Sequence, residues 1–165
     1  MIKKIFLWAI AFFCFVSLVR AEETPPFVGQ ITSDKVNVRA GQSFNFERLS
    51  QLNKGDEVVV VEKGFGWYKI RLPENGACYI TSKFVDMRPF DIGIVTRNNI
   101  NLRAGPGEKY STIGHLDDGT RVKVLESLPD WYRIEPMEGI FGWVSEKFVS
   151  FKSRDIPAPK IIVEP

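Results

Sequence analysis

Asn37-Val38-Arg39-Ala40-Gly41 is the stretch that decides the fold, because the chain repeats it sixty-four residues later as Asn101-Leu102-Arg103-Ala104-Gly105. Laid on itself at that offset, Val28–Val85 matches Ile92–Val149 without a gap, and eighteen of the fifty-eight paired positions are identical. The identities include Gly29/Gly93, Leu52/Leu116, Gly55/Gly119, Trp67-Tyr68/Trp131-Tyr132 and Lys83-Phe84-Val85/Lys147-Phe148-Val149. Others are swaps within a class, such as Phe46/Tyr110 and Tyr79/Trp143. A self-match at one fixed period identifies a duplicated unit. The expected organisation is therefore unit one at 27–85, a linker at 86–91, unit two at 92–149 and a proline-containing tail at 150–165.

Within each copy the pattern is that of short strands. Val36 and Val38, like Ile100 and Leu102, alternate with polar residues at the period of a half-buried strand. Ala40-Gly41-Gln42-Ser43 and Ala104-Gly105-Pro106-Gly107 then interrupt with turn chemistry. Glu57–Glu62 and Arg121–Glu126 are dense in valine, which fits a pleated, partly buried surface. Trp67–Arg71, Trp131–Glu135, Ala77–Ile80 and Phe141–Val144 supply further strands, and Ser82–Val85 closes the copy as one helical turn and a last short strand. No stretch has a convincing amphipathic-helix pattern. Five short strands within about sixty residues describe a small closed barrel, so the predicted fold class is all-β, as two tandem barrels. The six-residue linker favours contact between them, with Met87 and Phe90 as interface candidates.

The amino terminus reads differently. Met1-Ile2-Lys3-Lys4 is basic, Ile5 to Val19 is uncharged and apolar, and Val19-Arg20-Ala21 has small residues at its outer positions, the layout of a secretory signal peptide at 1–21. The rival is a retained anchor, although the apolar run falls short of the ~20 residues a spanning helix needs. The expected location is exported, periplasmic or extracellular, with membrane contact only if the leader is uncleaved. Removing the leader takes away Lys3, Lys4 and Arg20 and no acid, leaving 19 bases against 20 acids. A nearly neutral mature chain without a basic run argues against nucleic acid as a partner.

Catalysis finds little support. The mature chain keeps one histidine, His115, and one cysteine, Cys78, at non-equivalent places in the two copies, so a Cys–His nucleophile pair has no source. No spacing suits a metal, and Asp117-Asp118 lies in a turn. The expected catalytic, metal and cofactor sets are all none. Cys78 stands where the other copy has Gly142; it is either a small buried residue or a reactive thiol.

Binding is better served. Arg39 and Arg103 occupy one position in both copies, either as carboxylate clamps or as arginines whose stems cover the barrel and whose heads tie a loop carbonyl. Asn37 and Asn101 are expected to organise the following loop through side-chain to backbone bonds. The Trp-Tyr pairs alternate along a strand, which predicts one ring inward and one outward in each pair. The candidate ligand-binding residues are Arg103, Tyr110, Trp131, Tyr132, Trp143, Arg39, Trp67 and Tyr79. The rings divide between core duty and a shallow groove for a sugar or an extended peptide.

The run Asn101-Leu102-Arg103-Ala104-Gly105-Pro106-Gly107, followed by Tyr110, Ile113, Leu116, Gly119, Val122, Val124, Trp131-Tyr132, Gly142-Trp143-Val144 and Phe148, resembles the bacterial SH3 domain, SH3b. The resemblance covers nearly all of copy two and, more loosely, copy one. It implies SH3-like barrels of five to seven strands, an envelope location and a binding role, often beside peptidoglycan hydrolases. The expected ligand is peptidoglycan or its stem peptide, the alternative an adaptor for another envelope protein or a targeting subunit of a wall hydrolase. Copy one departs from the pattern at Gln42-Ser43 and at Cys78-Tyr79, which makes copy two the expected site of family-type binding.

Overall fold

The computed structural model describes residues 23–158; the predicted leader, 1–21, lies outside them, as does the tail from Pro159 onward. Copy one forms β1 (Phe27–Ile31), β2 (Val36–Arg39), β3 (Arg48–Leu52), β4 (Glu57–Gly64), β5 (Trp67–Arg71), β6 (Tyr79–Thr81) and β7 (Val85–Arg88). Copy two forms β8 (Ile92–Val95), β9 (Ile100–Arg103), β10 (Thr112–Leu116), β11 (Arg121–Ser127), β12 (Trp131–Ile134), β13 (Phe141–Ser145) and β14 (Val149–Ser153). One 3-10 turn, Ser82–Phe84 or Glu146–Phe148, precedes the last strand of each copy. The class is all-β, as expected, with two SH3-like barrels.

The barrels do not coincide with the copies. The first sheet runs β14-β1-β4-β5-β13-β2-β3 and the second β10-β9-β6-β12-β11-β8-β7. Each copy thus contributes its first five strands to one barrel and its last two to the other. Strand β13 pairs with β5 through Phe141↔Arg71 to Ser145↔Trp67, and with β2 at Trp143↔Arg39. Reciprocally, β6 pairs with β12 at Trp131↔Thr81 and with β9 at Tyr79↔Arg103. Below, barrel A is β1–β5 with β13 and β14, and barrel B is β8–β12 with β6 and β7. The ranges 27–85 and 92–149 mark repeats of sequence, but neither encloses a sheet.

The exchange passes through two crossover segments, Leu72–Cys78 and Glu135–Ile140. They bond to each other through the Leu72 N–H, which donates to the Ile140 carbonyl at 2.9 Å, and the Ile134 N–H at the end of β12 donates to the Cys78 carbonyl of the first crossover at 2.9 Å. The linker joins no separate bodies. Its first residues, Asp86–Arg88, belong to β7, which makes an antiparallel hairpin with β8 inside barrel B. Phe90, at positive φ in the turn, is 75% exposed and Met87 38%, so neither is an interface residue. The start of the expected tail is strand too, since β14 pairs with β1 from Val28↔Ser153 to Ile31↔Val149. The Pro25–Pro26 peptide bond is cis.

The alternation predicted for the strands is what fills the core. Val36 and Val38 of β2, and Ile100 and Leu102 of β9, are buried. They join Ile70, Ile80, Ile134 and Val144 in one apolar cluster that runs through both barrels. Each fully buried aliphatic side chain contributes about 1.5–3 kcal/mol. Gly142 shows how closely the exchanged strand is seated: a Cβ there would lie 2.5 Å from Val38 Cγ1. Cys78, its counterpart, is completely buried in the core and burial pushes its thiol up to about 12.

Candidate binding grooves

Strand alternation also determines what faces outward beside β2. With Val36 and Val38 turned in, Asn37 and Arg39 turn out. Asn37 Oδ1 accepts from Gln51 Nε2 across the β2–β3 pair at 3.1 Å. This is a side-chain bridge between strands in place of the expected bond to the next loop. Arg39 Nη1 donates to the Phe46 carbonyl at 2.9 Å, and in barrel B Arg103 Nη1 donates to the Tyr110 carbonyl at 2.9 Å and to Thr112 Oγ1 at 3.4 Å. Of the two readings of these arginines, the geometry adopts the loop tie in both barrels.

The loop held by Arg39 carries Phe44, 67% exposed. Its ring meets Trp67 edge-on, with centroids 5.2 Å apart at 62°, while the Arg39 guanidinium lies 5.7 Å from its centre. These groups border a groove of about 210 Å³ whose walls also include Asp34, Asn37, Ser145 and Phe148. Arg39, Phe44 and Trp67 come from copy one; Ser145 and Phe148 arrive on the exchanged segment of copy two. Ser145 is the register partner of Trp67. The site is assembled by the exchange.

Both Trp67 and Tyr68 are buried, at 8% exposure each, against the expected one-in, one-out division. Tyr68 stacks edge-on against Phe27, with centroids 5.5 Å apart, and Trp67, on the other face, is covered by Phe44. The outer face of a small barrel's strand is closed by its own loop. Trp131 and Tyr132 are half-buried, with Tyr132 packed on the core.

The remaining candidates are divided between the barrels. Trp143 belongs to barrel A, opposite Arg39, with the Lys69 ammonium 5.8 Å from its ring. Tyr79 belongs to barrel B, opposite Arg103. Trp143 therefore does not share a groove with Trp131, Tyr132 and Tyr110, as grouping them within copy two implied. Tyr110 is half-buried against the core; a Cβ on Gly105 would lie 2.6 Å from its ring. The better-kept family residues of copy two are split, so neither copy holds a site alone.

Phe44, Ser145 and Phe148 escaped the sequence reading. Phe44 had a signal, an apolar ring in a Gly-Gln-Ser-Phe-Asn loop whose counterpart is Glu108. At the corresponding face of barrel B, the Arg97 guanidinium sits 5.1 Å from the centre of the Phe84 ring, and Lys83 Nζ 5.4 Å. The two faces share a framework and differ in chemistry, aromatic at Phe44 and acidic at Glu108. His115 is exposed in β10, and among the described residues no three His, Cys, Asp or Glu side chains cluster.

Comparison with known proteins agrees with this geometry. The family model of the bacterial SH3 domain matches twice, at residues 34–86 and 98–150. The putative N-acetylmuramoyl-L-alanine amidase YrvJ of Bacillus subtilis (strain 168) is 25% identical over 143 residues, covering 77% of this chain but 27% of that protein. The chain thus spans about a quarter of the relative it matches. Two sequence copies matched by the same family model, folded into two barrels that each carry the loop-tying arginine, place the chain in the bacterial SH3 domain family.

Proposed function

We propose that this protein is an exported, non-catalytic binding module of the cell envelope whose ligand is peptidoglycan or its stem peptide, taken in the groove at Phe44. The single observation that carries the reading is that groove. An exposed ring braced by Trp67 and a guanidinium stands beside Asp34, Asn37 and Ser145, which offer donors and acceptors. Aromatic surface with a few convergent polar groups suits a sugar face or an extended peptide. Family membership, the amidase name of the relative and the leader-like amino terminus support the envelope assignment.

In this reading Arg39 and Arg103 are positioning residues that hold the ligand loops, and Phe44 with Trp67 forms the contact surface. The test is co-sedimentation of mature protein with purified sacculi. Wild type pellets with the wall, and Phe44→Ala lowers the bound fraction while the unfolding midpoint stays put. Pelleting no greater than that of an unrelated control protein of similar size would sink the reading. A targeting role beside a separate wall hydrolase is the second reading, favoured by the relative of which this chain spans only 27%. A stoichiometric hydrolase in a crosslinking pull-down, without sacculus binding, would favour it over the first.

A further inference from the structure

A second, larger groove lies away from Phe44, along the seam where the crossovers leave their barrels. Its volume is about 680 Å³, within the range of peptide and small-molecule sites. Leu52, Val58, Leu72 and Met137 give it an apolar floor, and Asp56, Glu74 and Glu138 an acidic rim. Leu72 and Glu74 belong to one crossover and Met137 and Glu138 to the other, so the groove is walled by both crossovers.

One segment of the chain already enters it. Pro157 and Ala158 line the groove, and Arg71 Nη1 donates to the Pro157 carbonyl at 2.9 Å. The same guanidinium reaches Glu138 of the second crossover, Nε to Oε2 at 3.5 Å. Arg71 thereby joins the end of β5, the opposite crossover and the segment that follows β14. The sequence after Ala158 is Pro159-Lys160-Ile161-Ile162-Val163-Glu164-Pro165. Its composition complements what it would meet: Lys160 matches the acidic rim, and Ile161-Ile162-Val163 matches the apolar floor. Pro157, already at the groove, favours an extended backbone.

We propose that the seam groove is a peptide-binding site for an extended, proline-bounded segment with one basic and several aliphatic side chains, and that its occupant is the chain's own residues 156–165. The segment straps the two crossovers together from outside, with the Pro157 carbonyl on Arg71 as its fixed point.

The test begins with the full chain, methyl-labelled for NMR. The Ile161 and Ile162 methyls give cross-peaks to methyls of Leu52, Val58 or Leu72, and Arg71→Ala weakens them. A chain ending at Asp155 binds a synthetic peptide of residues 155–165, with shifts at those groove methyls. The full chain binds that peptide at least about tenfold more weakly, because a tethered competitor acts at millimolar effective concentration. Absence of the cross-peaks from the full chain overturns the proposal whether or not the shortened chain folds. Cross-peaks that arise only between differently labelled molecules also overturn it, since the occupant is then a second copy's tail.

Discussion

Glu47 and Ser111 are the same position in the two copies, sixty-four residues apart, and they touch: the Ser111 backbone N–H donates to Glu47 Oε1 at 3.1 Å. A residue can meet its own counterpart only near the axis that relates two units. The contact therefore lies where the exchanged halves face each other, and it is asymmetric, with a carboxylate on one side and a hydroxyl residue on the other. Burial pushes the Glu47 carboxyl upward, but hydrogen bonds from its own N–H and from the hydroxyl and N–H of Ser111 outweigh that and hold it below the usual carboxylate range.

The pH dependence follows from the sign of that shift. A carboxyl depressed in the folded state stabilises the fold above its unfolded value and loses that contribution as pH falls through the folded one. Glu47→Gln should be less stable than wild type by about 1 kcal/mol at pH 7, the scale of one hydrogen bond. The gap should be narrower at pH 3. Urea unfolding of both proteins at the two pH values measures it, and a gap that widens on acidification would contradict the assignment.

Cutting the chain between Pro89 and Phe90 tests the exchange. The cut falls in the exposed β7–β8 turn and breaks no strand pair. The two pieces, 23–89 and 90–158, should remain together through a gel-filtration column, because each holds strands that complete the other's barrel. Separated in denaturant, neither piece alone should regain a cooperative thermal transition. Two independently folding pieces would refute the sheet order.

Alanine at Gly142 and alanine at Cys78 destabilise for opposite reasons. Gly142→Ala drives a methyl into Val38 and should cost about 1–3 kcal/mol, the usual penalty of overpacking. Cys78→Ala removes a buried sulfur from the equivalent site in barrel B and should cost about 1 kcal/mol through the void left behind. Adding Val38→Ala to Gly142→Ala should cost less than the sum of the two single changes, because it opens the space the methyl needs. Thermal unfolding of the four variants decides it.

The Cys78 thiol, pushed up to about 12 by burial, has almost no thiolate at neutral pH. In native protein at pH 8 it should resist iodoacetamide for as long as the barrel stays closed, and react within minutes in 6 M guanidinium. Mass spectrometry of the alkylated protein reads both states. Rapid labelling of the native protein would show that barrel B opens locally there.

Phe44→Glu copies the barrel B residue into barrel A, and Glu108→Phe does the reverse. Under the proposed function, Phe44→Glu lowers sacculus binding several-fold, in line with loss of a central aromatic contact, while Glu108→Phe raises it. Equal binding by wild type and Phe44→Glu would move the ligand site elsewhere on the molecule.

Much of this fold was legible in the sequence, because strand formation is local. The alternation at Val36-Asn37-Val38-Arg39, the valine run of β4, the 3-10 turn at Ser82–Phe84 and the burial of Cys78 all follow from residue type and spacing. The exchange was not legible for a physical reason. Tyr79-Ile80-Thr81 and Trp143-Val144-Ser145 present matching faces, so either segment can complete either barrel with similar contacts. What selects between them is the path of Leu72–Cys78 and Glu135–Ile140, two irregular segments with no periodic signal. The groove was half legible for the same reason. Arg39 and Trp67 stood out by repetition, whereas Phe44 occurs once and Ser145 and Phe148 come from the other end of the chain.

The pairing of β1 with β14 has a mechanical consequence. Arg154 donates to the carbonyls of Thr24 and Pro26 and pairs with Glu23 at 3.1 Å, so the chain enters and leaves this fold side by side. In the register Val28↔Ser153 to Ile31↔Val149, both pulling points lie at the same end of the antiparallel pair. Tension applied through the two ends loads that pair as a zipper, one hydrogen bond at a time, instead of shearing all of them together. Stretched between two anchors, the protein yields first at β14, and its release frees the chain immediately beyond Phe148 while β13 stays paired with β5.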